Sequence, residues 1–93
     1  MNRPLLKSSA FARSAKQLLK KKPHLAASLR TALEMLTADA FHPALKTHKL
    51  KGNLEGSWAC SVAYDLRIVF SFVEESGNEA ILLEAVGTHD EVY

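Results

Sequence analysis

Apolar residues recur at helical spacing along the first part of the chain. After a short extended entry at 3–7, Ser8 and Ser9 offer a helix N-cap, because a hydroxyl can accept a hydrogen bond from an orphan backbone N–H. Pro23 ends this helix and can open the next one, since a proline in the first turn loses no helical hydrogen bond. The pattern therefore predicts a hairpin of two amphipathic helices, the second ending near 37–39. Their apolar positions are Phe11, Ala15, Leu18, Leu19, Leu25, Leu29, Leu33 and Leu36.

The hydrophobic period changes to two from Ser57 onward. Residues 57–63, 67–72 and 81–86 read as strands, and Tyr64-Asp65 and the stretch 74–78 read as turns. The last strand alternates Ile81, Leu83 and Ala85 with Leu82 and Val86. Short links between consecutive strands imply an antiparallel meander. Residues 40–56, which are rich in Gly, Pro and Asn, are predicted to be mostly loop.

The predicted order is β-α-α-β-β-β, and the predicted fold class is α+β, with the helix hairpin packed on one face of a curved antiparallel sheet. At 93 residues the chain is expected to form a single domain, 1–93. A hydrophobic content of 47% excludes a disordered chain, and one cysteine excludes a disulfide framework or a cysteine-based zinc cluster. The absence of a long apolar run predicts a cytoplasmic protein with no signal peptide and no membrane span.

The net charge of +2 hides an asymmetry between the two parts of the chain. Residues 1–51 hold eleven Lys and Arg against two acidic residues, a balance of +9. Residues 52–93 hold one Arg against eight acidic residues, a balance of −7. The first part could carry a positive face that attracts phosphates, or it could be an ordinary solvated helix pair. Charge alone leaves both interpretations open.

Polar residues at the ends of the predicted strands are candidates for chemistry. In an antiparallel meander the turn before the second strand and the end of the third lie at the same edge, so Asp65, Arg67 and His89 can converge. A histidine can act as general acid or base, and an arginine can bind a phosphate. RNA supplies its own nucleophile, the ribose 2′-hydroxyl, so this chemistry needs neither a metal nor another cofactor. His48 lies in the predicted loop before the sheet, and Tyr93 ends the sequence.

Structural interpretations stand beside these functional ones. Asp65 suits a turn, and Arg67 could pair with an acidic neighbour such as Glu84. Solvated histidines are expected at positions 24 and 42. Cys60 is interpreted as a small buried core residue, and Trp58 as core rather than a base-stacking platform.

Two stretches resemble the RelE/ParE toxin superfamily of bacterial type II toxin–antitoxin systems, in particular its YafQ-like (RelE/StbE) mRNA interferase branch. The first runs from His48-Lys49-Leu50-Lys51-Gly52 to Asp65-Leu66-Arg67-Ile68-Val69-Phe70 and is similar to an H-x-L-x-G … D-x-R-I pattern. The second is Gly87-Thr88-His89-Asp90-Glu91-Val92-Tyr93, similar to a terminal G-T-H-x-x-x-[YF] pattern. With the predicted element order, the resemblance covers essentially the whole chain.

The resemblance implies a ribosome-dependent endoribonuclease that cuts mRNA without a metal or other cofactor and is masked by a cognate antitoxin. By position, His48, Asp65 and His89 match acid–base and positioning residues. Arg67 matches a phosphate-binding arginine, Tyr93 a terminal aromatic that stacks on a nucleotide, and His89 is the best candidate for the acid. Lysines of the positive half would contact ribosomal RNA: Lys16, Lys20, Lys21, Lys22, Lys46, Lys49 and Lys51.

The sequence departs from the YafQ-like pattern on its first sheet strand, where the branch has an acid and a histidine and this chain has Ala59 and Ser61. Activity would then depend more heavily on His48, Arg67 and His89. Two alternatives on the same fold are a ParE-like inhibitor of DNA gyrase and a degenerate toxin that only binds its antitoxin. The ParE-like branch lacks the active-site set, so its retention here favours the interferase.

Overall fold

A computed structural model describes residues 2–93. The helices are α1 (Ser9–Lys21), α2 (Ala26–Ala38) and α3 (His89–Val92), and short 3-10 turns occupy Pro23–Leu25, Pro43–Leu45 and Gly52–Leu54. The strands are β1 (Leu5–Lys7), β2 (His48–Lys49), β3 (Trp58–Ala63), β4 (Leu66–Glu75) and β5 (Asn78–Gly87). The α+β class and the helix hairpin on a mostly antiparallel sheet are confirmed.

The five strands form one sheet in the order β1-β5-β4-β3-β2. β3, β4 and β5 make the antiparallel meander that the sequence predicts, and β1 adds to β5 in parallel, with Leu5 opposite Ile81. The β4–β5 turn is tighter than predicted, because Ser76 and Gly77 both adopt positive φ, 52° and 81°. The two strands therefore extend to Glu75 and back from Asn78.

The helix hairpin covers one face of the sheet. The Ser8 hydroxyl caps α1 by accepting from the backbone N–H of Phe11 at 3.0 Å, and Pro23 opens the 3-10 turn between the helices. α1 and α2 bury part of the predicted apolar stripe against the sheet, so the core lies between the two layers. Its members include Phe11, Leu29, Leu36, Cys60, Ile68, Phe70, Ile81, Leu83 and Val86.

A β-bulge interrupts β5. Leu83 pairs with Phe70 while Ala85 pairs with Val69, so Glu84 is an extra residue on this strand. The uniform alternation predicted for 81–86 is therefore wrong, because the bulge shifts the phase: Val86 joins the core instead of Ala85. A hydroxyl of α1 and that of its N-cap bond to the bulge, with Ser8 donating to the carbonyl of Glu84 and Ser14 accepting from the N–H of Val86.

Two short elements lie outside the predicted order. His48–Lys49 forms β2 within the stretch predicted to be loop, and it pairs with Ala59 and Trp58 at the edge of the sheet. His89–Val92 forms α3 after the last strand. Both are too short to show a hydrophobic period. Within residues 2–93, no helix is long and apolar enough to cross a membrane.

Candidate functional site

The β3–β4 turn and the end of β5 meet at one edge of the sheet, the edge that is formed by the ends of these strands. Arg67 lies directly opposite Gly87 across the β4–β5 pair. Asp65 occupies the turn in a left-handed conformation, with φ 54°, and its Oδ1 accepts a hydrogen bond from the backbone N–H of His89 at 3.4 Å. The structure therefore brings Asp65, Arg67 and His89 to the same edge.

α3 folds back against this edge because of a capping box at its start and a glycine just before it. The Thr88 side chain accepts from the N–H of Glu91, and the Glu91 carboxylate accepts from the N–H of Thr88 at 2.8 Å, a reciprocal capping box. A Cβ atom on Gly87 would lie 2.9 Å from Oε1 of Glu91 and 3.3 Å from Cγ1 of Val92. Glycine is thus needed for the close approach of α3 to β5.

α3 presents two rings of the candidate site. The His89 and Tyr93 rings contact edge to face, with centroids 4.4 Å apart and planes at 78°. Partial burial raises the pKa of the Tyr93 hydroxyl, and the charge of Arg67 opposes that rise. Oδ1 of Asp90 lies 3.6 Å from Nδ1 of His89. The His89 side chain is 58% exposed, so a ligand in solution can reach it.

Arg67 is half-buried and held by its own turn. Its Nη1 donates to the carbonyls of Ala63 and Leu66 at 3.3 and 3.2 Å. The alternative pairing with Glu84 is not present, because the Glu84 carboxylate accepts from the Ser57 hydroxyl at 2.7 Å instead. Among residues 2–93, no carboxylate forms an ion pair with Arg67. The guanidinium can therefore engage an anion.

His48 lies on the outer strand β2, two strands away from Arg67 on β4. His48 pairs with Ala59 of β3, and Ala59 pairs with Val69 of β4. Arg67 lies two residues before Val69 on β4, so His48, Ala59, Val69 and Arg67 share one face of the sheet. Strand spacing and rise put the Cα atoms of His48 and Arg67 roughly 12 Å apart. Unlike the other members of the predicted set, His48 is not placed beside His89 by any contact of the described residues.

The His48 ring has a defined orientation. Its Nδ1 lies 3.0 Å from the carbonyl oxygen of Lys46. Because a carbonyl only accepts, Nδ1 must carry the hydrogen of this bond, and Nε2 of the neutral ring is left as an acceptor. The ring is thus prepared to receive a proton at Nε2.

Small side chains lie between His48 and Arg67. Ala59 pairs with His48 and with Val69, and Ser61 pairs with Arg67. These are the two positions at which the chain departs from the YafQ-like pattern. At these positions the chain has the fully buried Ala59 and the half-buried Ser61, so no further acid or imidazole lines the sheet between the histidine and the arginine.

Two cavities flank the β3–β4 turn. A cleft of about 450 Å³ is lined by Lys46, Ser61, Asp65 and Arg67, among others. A groove of about 540 Å³ runs between α1 and α3 and is lined by Lys21, Lys22, Thr88 and Glu91, among others. Tyr64 lines both and is fully exposed, at 101%. Sequence reasoning treated Tyr64 only as a turn residue; an aromatic side chain at a hairpin tip beside Asp65 was the available signal.

The predicted lysines divide into three groups. Lys21, Lys22 and Lys46 line the two cavities beside the turn. Lys49 places its ammonium 5.5 Å from the centroid of the Trp58 ring. The remaining three are exposed and line neither cavity: Lys16, Lys20 and Lys51.

Other candidate residues take structural roles. Cys60 is fully buried, and burial raises the pKa of its thiol to about 12, which keeps it protonated. Trp58 packs against the core, and Phe41 and Phe72 contact its ring. His42 caps the Pro43–Leu45 turn through Nδ1. In the part of the chain that the structure describes, no group of three or more His, Cys, Asp or Glu could hold a metal ion.

Residues 3–93 match the family model described as YafQ, bacterial toxin of type II toxin–antitoxin system. No curated protein matches the chain by sequence.

Solved structures share the fold. YafQ from E. coli strain BL21(DE3) is 17% identical, with a TM-score of 0.77 and 98% of each chain covered. A chain of the E. coli DinJ-YafQ toxin–antitoxin complex is 19% identical, with a TM-score of 0.77, covering 100% of this chain and 99% of that one. A metal-bound toxin from Helicobacter pylori is 26% identical, with a TM-score of 0.77 and all of both chains covered.

Proposed function

Since the chain belongs to the YafQ family of toxins of bacterial type II toxin–antitoxin systems, we propose that it is an endoribonuclease that cuts mRNA on the ribosome in the cytoplasm. The observation that carries the proposal is the juxtaposition of Arg67 with His89 and Tyr93, held by the Asp65 contact to His89. It supports the proposal because a guanidinium is able to bind a phosphate, an exposed imidazole is able to donate a proton, and an aromatic ring lies beside them.

The proposed reaction is attack of a ribose 2′-hydroxyl on the adjacent phosphorus. Nε2 of His48 takes the hydroxyl proton, the bond from O2′ to phosphorus forms, and the bond from phosphorus to O5′ breaks. His89 gives a proton to O5′, so the products are a 2′,3′-cyclic phosphate and a free 5′-hydroxyl. Charge on the phosphate oxygens is stabilised by the Arg67 guanidinium.

The geometry supports this division of roles between the two histidines. Lys46 holds Nδ1 of His48 as a donor, which leaves Nε2 as the basic nitrogen. Nδ1 of His89 faces the Asp90 carboxylate, which leaves Nε2 of His89 to deliver a proton. The residues between them on this sheet face, Ala59 and Ser61, carry no acid or imidazole that would compete for either role. Tyr93, packed on His89, is suited to stacking on a nucleobase.

The proposed partners are a cognate antitoxin, ribosomal RNA and mRNA. Solved relatives include a DinJ-YafQ complex, and a cognate antitoxin is proposed for this chain by analogy. Ribosomal RNA and mRNA are the proposed nucleic-acid partners, since the lysines at the two cavities supply cations that contact phosphates.

The test maps mRNA ends in a bacterial translation extract. Wild-type protein should produce new 5′-hydroxyl ends on translated messages, and His89→Ala should produce none. His24→Ala is the matched control, because His24 is exposed on the turn between α1 and α2, outside the candidate site. Uncut message with the wild type would refute the proposal. Gyrase inhibition would then favour the ParE-like alternative, and loss of both activities a degenerate toxin.

A further inference from the structure

We propose that Tyr64, Lys46 and Arg67 form a nucleotide subsite for single-stranded RNA, in which a base stacks on Tyr64 and its phosphate lies between the two cations. The inference deepens the proposed nuclease function and rests on it. It adds a contact that neither the terminal Tyr93 nor the histidines provide.

The exposure of Tyr64 has no structural explanation. The side chain is fully exposed at the tip of the β3–β4 turn and belongs to none of the aromatic contacts among residues 2–93. The turn itself depends on the next residue, Asp65, which takes the left-handed conformation. A tyrosine that is fully exposed at a hairpin tip, with no aromatic neighbour on its ring, is suited to stacking, because every base offers a π-face.

Cations flank this ring. Tyr64 borders the cleft of about 450 Å³ that also contains Lys46 and Arg67, and on its other side lies the groove that contains Lys21 and Lys22. The cleft volume falls within the range of about 300–1,000 Å³ typical of small-ligand sites. An exposed aromatic ring between basic side chains is the arrangement by which proteins bind single-stranded nucleic acid.

Lys46 is placed in the cleft by its backbone. It ends the Pro43–Leu45 turn in a left-handed conformation, φ 51°, and its carbonyl accepts from His48. The residue therefore links the subsite to the proposed base. Asp65 also lines the cleft, and the hydrogen bond that its Oδ1 accepts from the N–H of His89 leaves its negative charge in place. The Asp65 charge repels a phosphate, so the phosphate is favoured between Lys46 and Arg67, away from that carboxylate.

Binding of a short 2′-O-methyl oligoribonucleotide tests the subsite without cleavage, because the methyl group blocks the nucleophile. Tyr64→Ala should weaken binding by about five- to a hundredfold, the range expected for loss of one base stack, and Tyr64→Phe should retain it. Lys46→Gln should also weaken binding and should make the negative slope of log K against log salt shallower by about 0.7, whereas Tyr64→Ala should leave that slope unchanged.

Lys7→Gln is the matched charge control, because Lys7 is exposed on β1 at the far edge of the sheet. Melting temperatures of all variants should equal that of the wild type, since all three mutated side chains are exposed. Wild-type affinity in Tyr64→Ala would overturn the subsite, and so would weakened binding of the antitoxin with unchanged binding of RNA.

The experiments can refute the proposed subsite and the proposed nuclease function independently of each other. If the variants lose RNA binding while wild-type protein leaves mRNA uncut, the subsite stands and the nuclease proposal falls. If wild-type protein cuts mRNA and Tyr64→Ala cuts it with the same KM, the nuclease proposal stands and the subsite falls.

Discussion

Oδ1 of Asp65 accepts a hydrogen bond from the backbone N–H of His89 at 3.4 Å. This contact joins the β3–β4 turn to the first residue of α3, so it holds the histidine near Arg67 although the two elements are distant in sequence. The contact uses the oxygen of Asp65 as an acceptor and does not need its negative charge. It favours a positioning role for Asp65 over proton transfer.

Substitutions of Asp65 separate these two roles. Asn keeps both the acceptor and the tolerance of positive φ, so Asp65→Asn should cleave mRNA nearly as fast as wild type with the same pH profile. Asp65→Gly keeps the turn but removes the acceptor and should lower kcat by up to about 10²-fold through misplacement of His89. Equal losses in both variants would show that the charge itself is required.

Gly87→Ala should displace α3. Its new methyl group would meet Oε1 and Cβ of Glu91 at 2.9 and 3.2 Å, so the Glu91 carboxylate must leave its capping position and α3 must shift by a few tenths of an ångström. We expect a stability loss of about 1–3 kcal/mol, typical of overpacking, and a larger loss of cleavage. Thermal melting and NMR signals of the His89 ring measure the two effects. An unshifted His89 spectrum with wild-type cleavage would contradict the role given to this glycine.

The capping box should make α3 sensitive to acid. A hydrogen bond from the backbone of Thr88 lowers the pKa of Glu91 below its ordinary value of 4.5. A lowered folded-state pKa means that this stabilisation is present above pH 4.5 and is lost as the pH falls through the lowered value. The protection factors of the α3 amides, which correct hydrogen exchange for its intrinsic dependence on pH, should therefore fall in acid. In Glu91→Gln this fall should be absent; its persistence would assign the effect to another group.

Cys60 should resist thiol reagents in the native protein. Burial raises its pKa from 9.0 to about 12, so the reactive thiolate is scarce, and the side chain is inaccessible. Labelling should become rapid only in denaturant. Because the unfolded thiol ionises near 9.0 and the folded one near 12, stability should fall as the pH rises through that interval. Fast labelling under native conditions would place Cys60 outside the core.

The helix hairpin, the three long strands and their antiparallel order follow from local patterns. These elements depend on interactions between neighbours in the sequence, namely the Ser8 cap, the break at Pro23 and the hydrophobic periods of helix and strand. They can therefore be predicted from the sequence directly. The meeting of Asp65 with the end of β5 also follows, because strand direction in a meander is determined by short links. Which histidine acts as base was left open by the sequence.

Other features of the fold and of the site depend on contacts between residues that are distant in the sequence. The bulge at Glu84, stabilised by Ser14 of α1 and by its N-cap Ser8, determined that Val86 rather than Ala85 faces the core. The exposure of Tyr64 between two cavities depends on the packing of α1, α3 and the turn together. These features arise from hydrogen bonds and packing between elements, which local spacing does not encode, and so only the tertiary structure defines them.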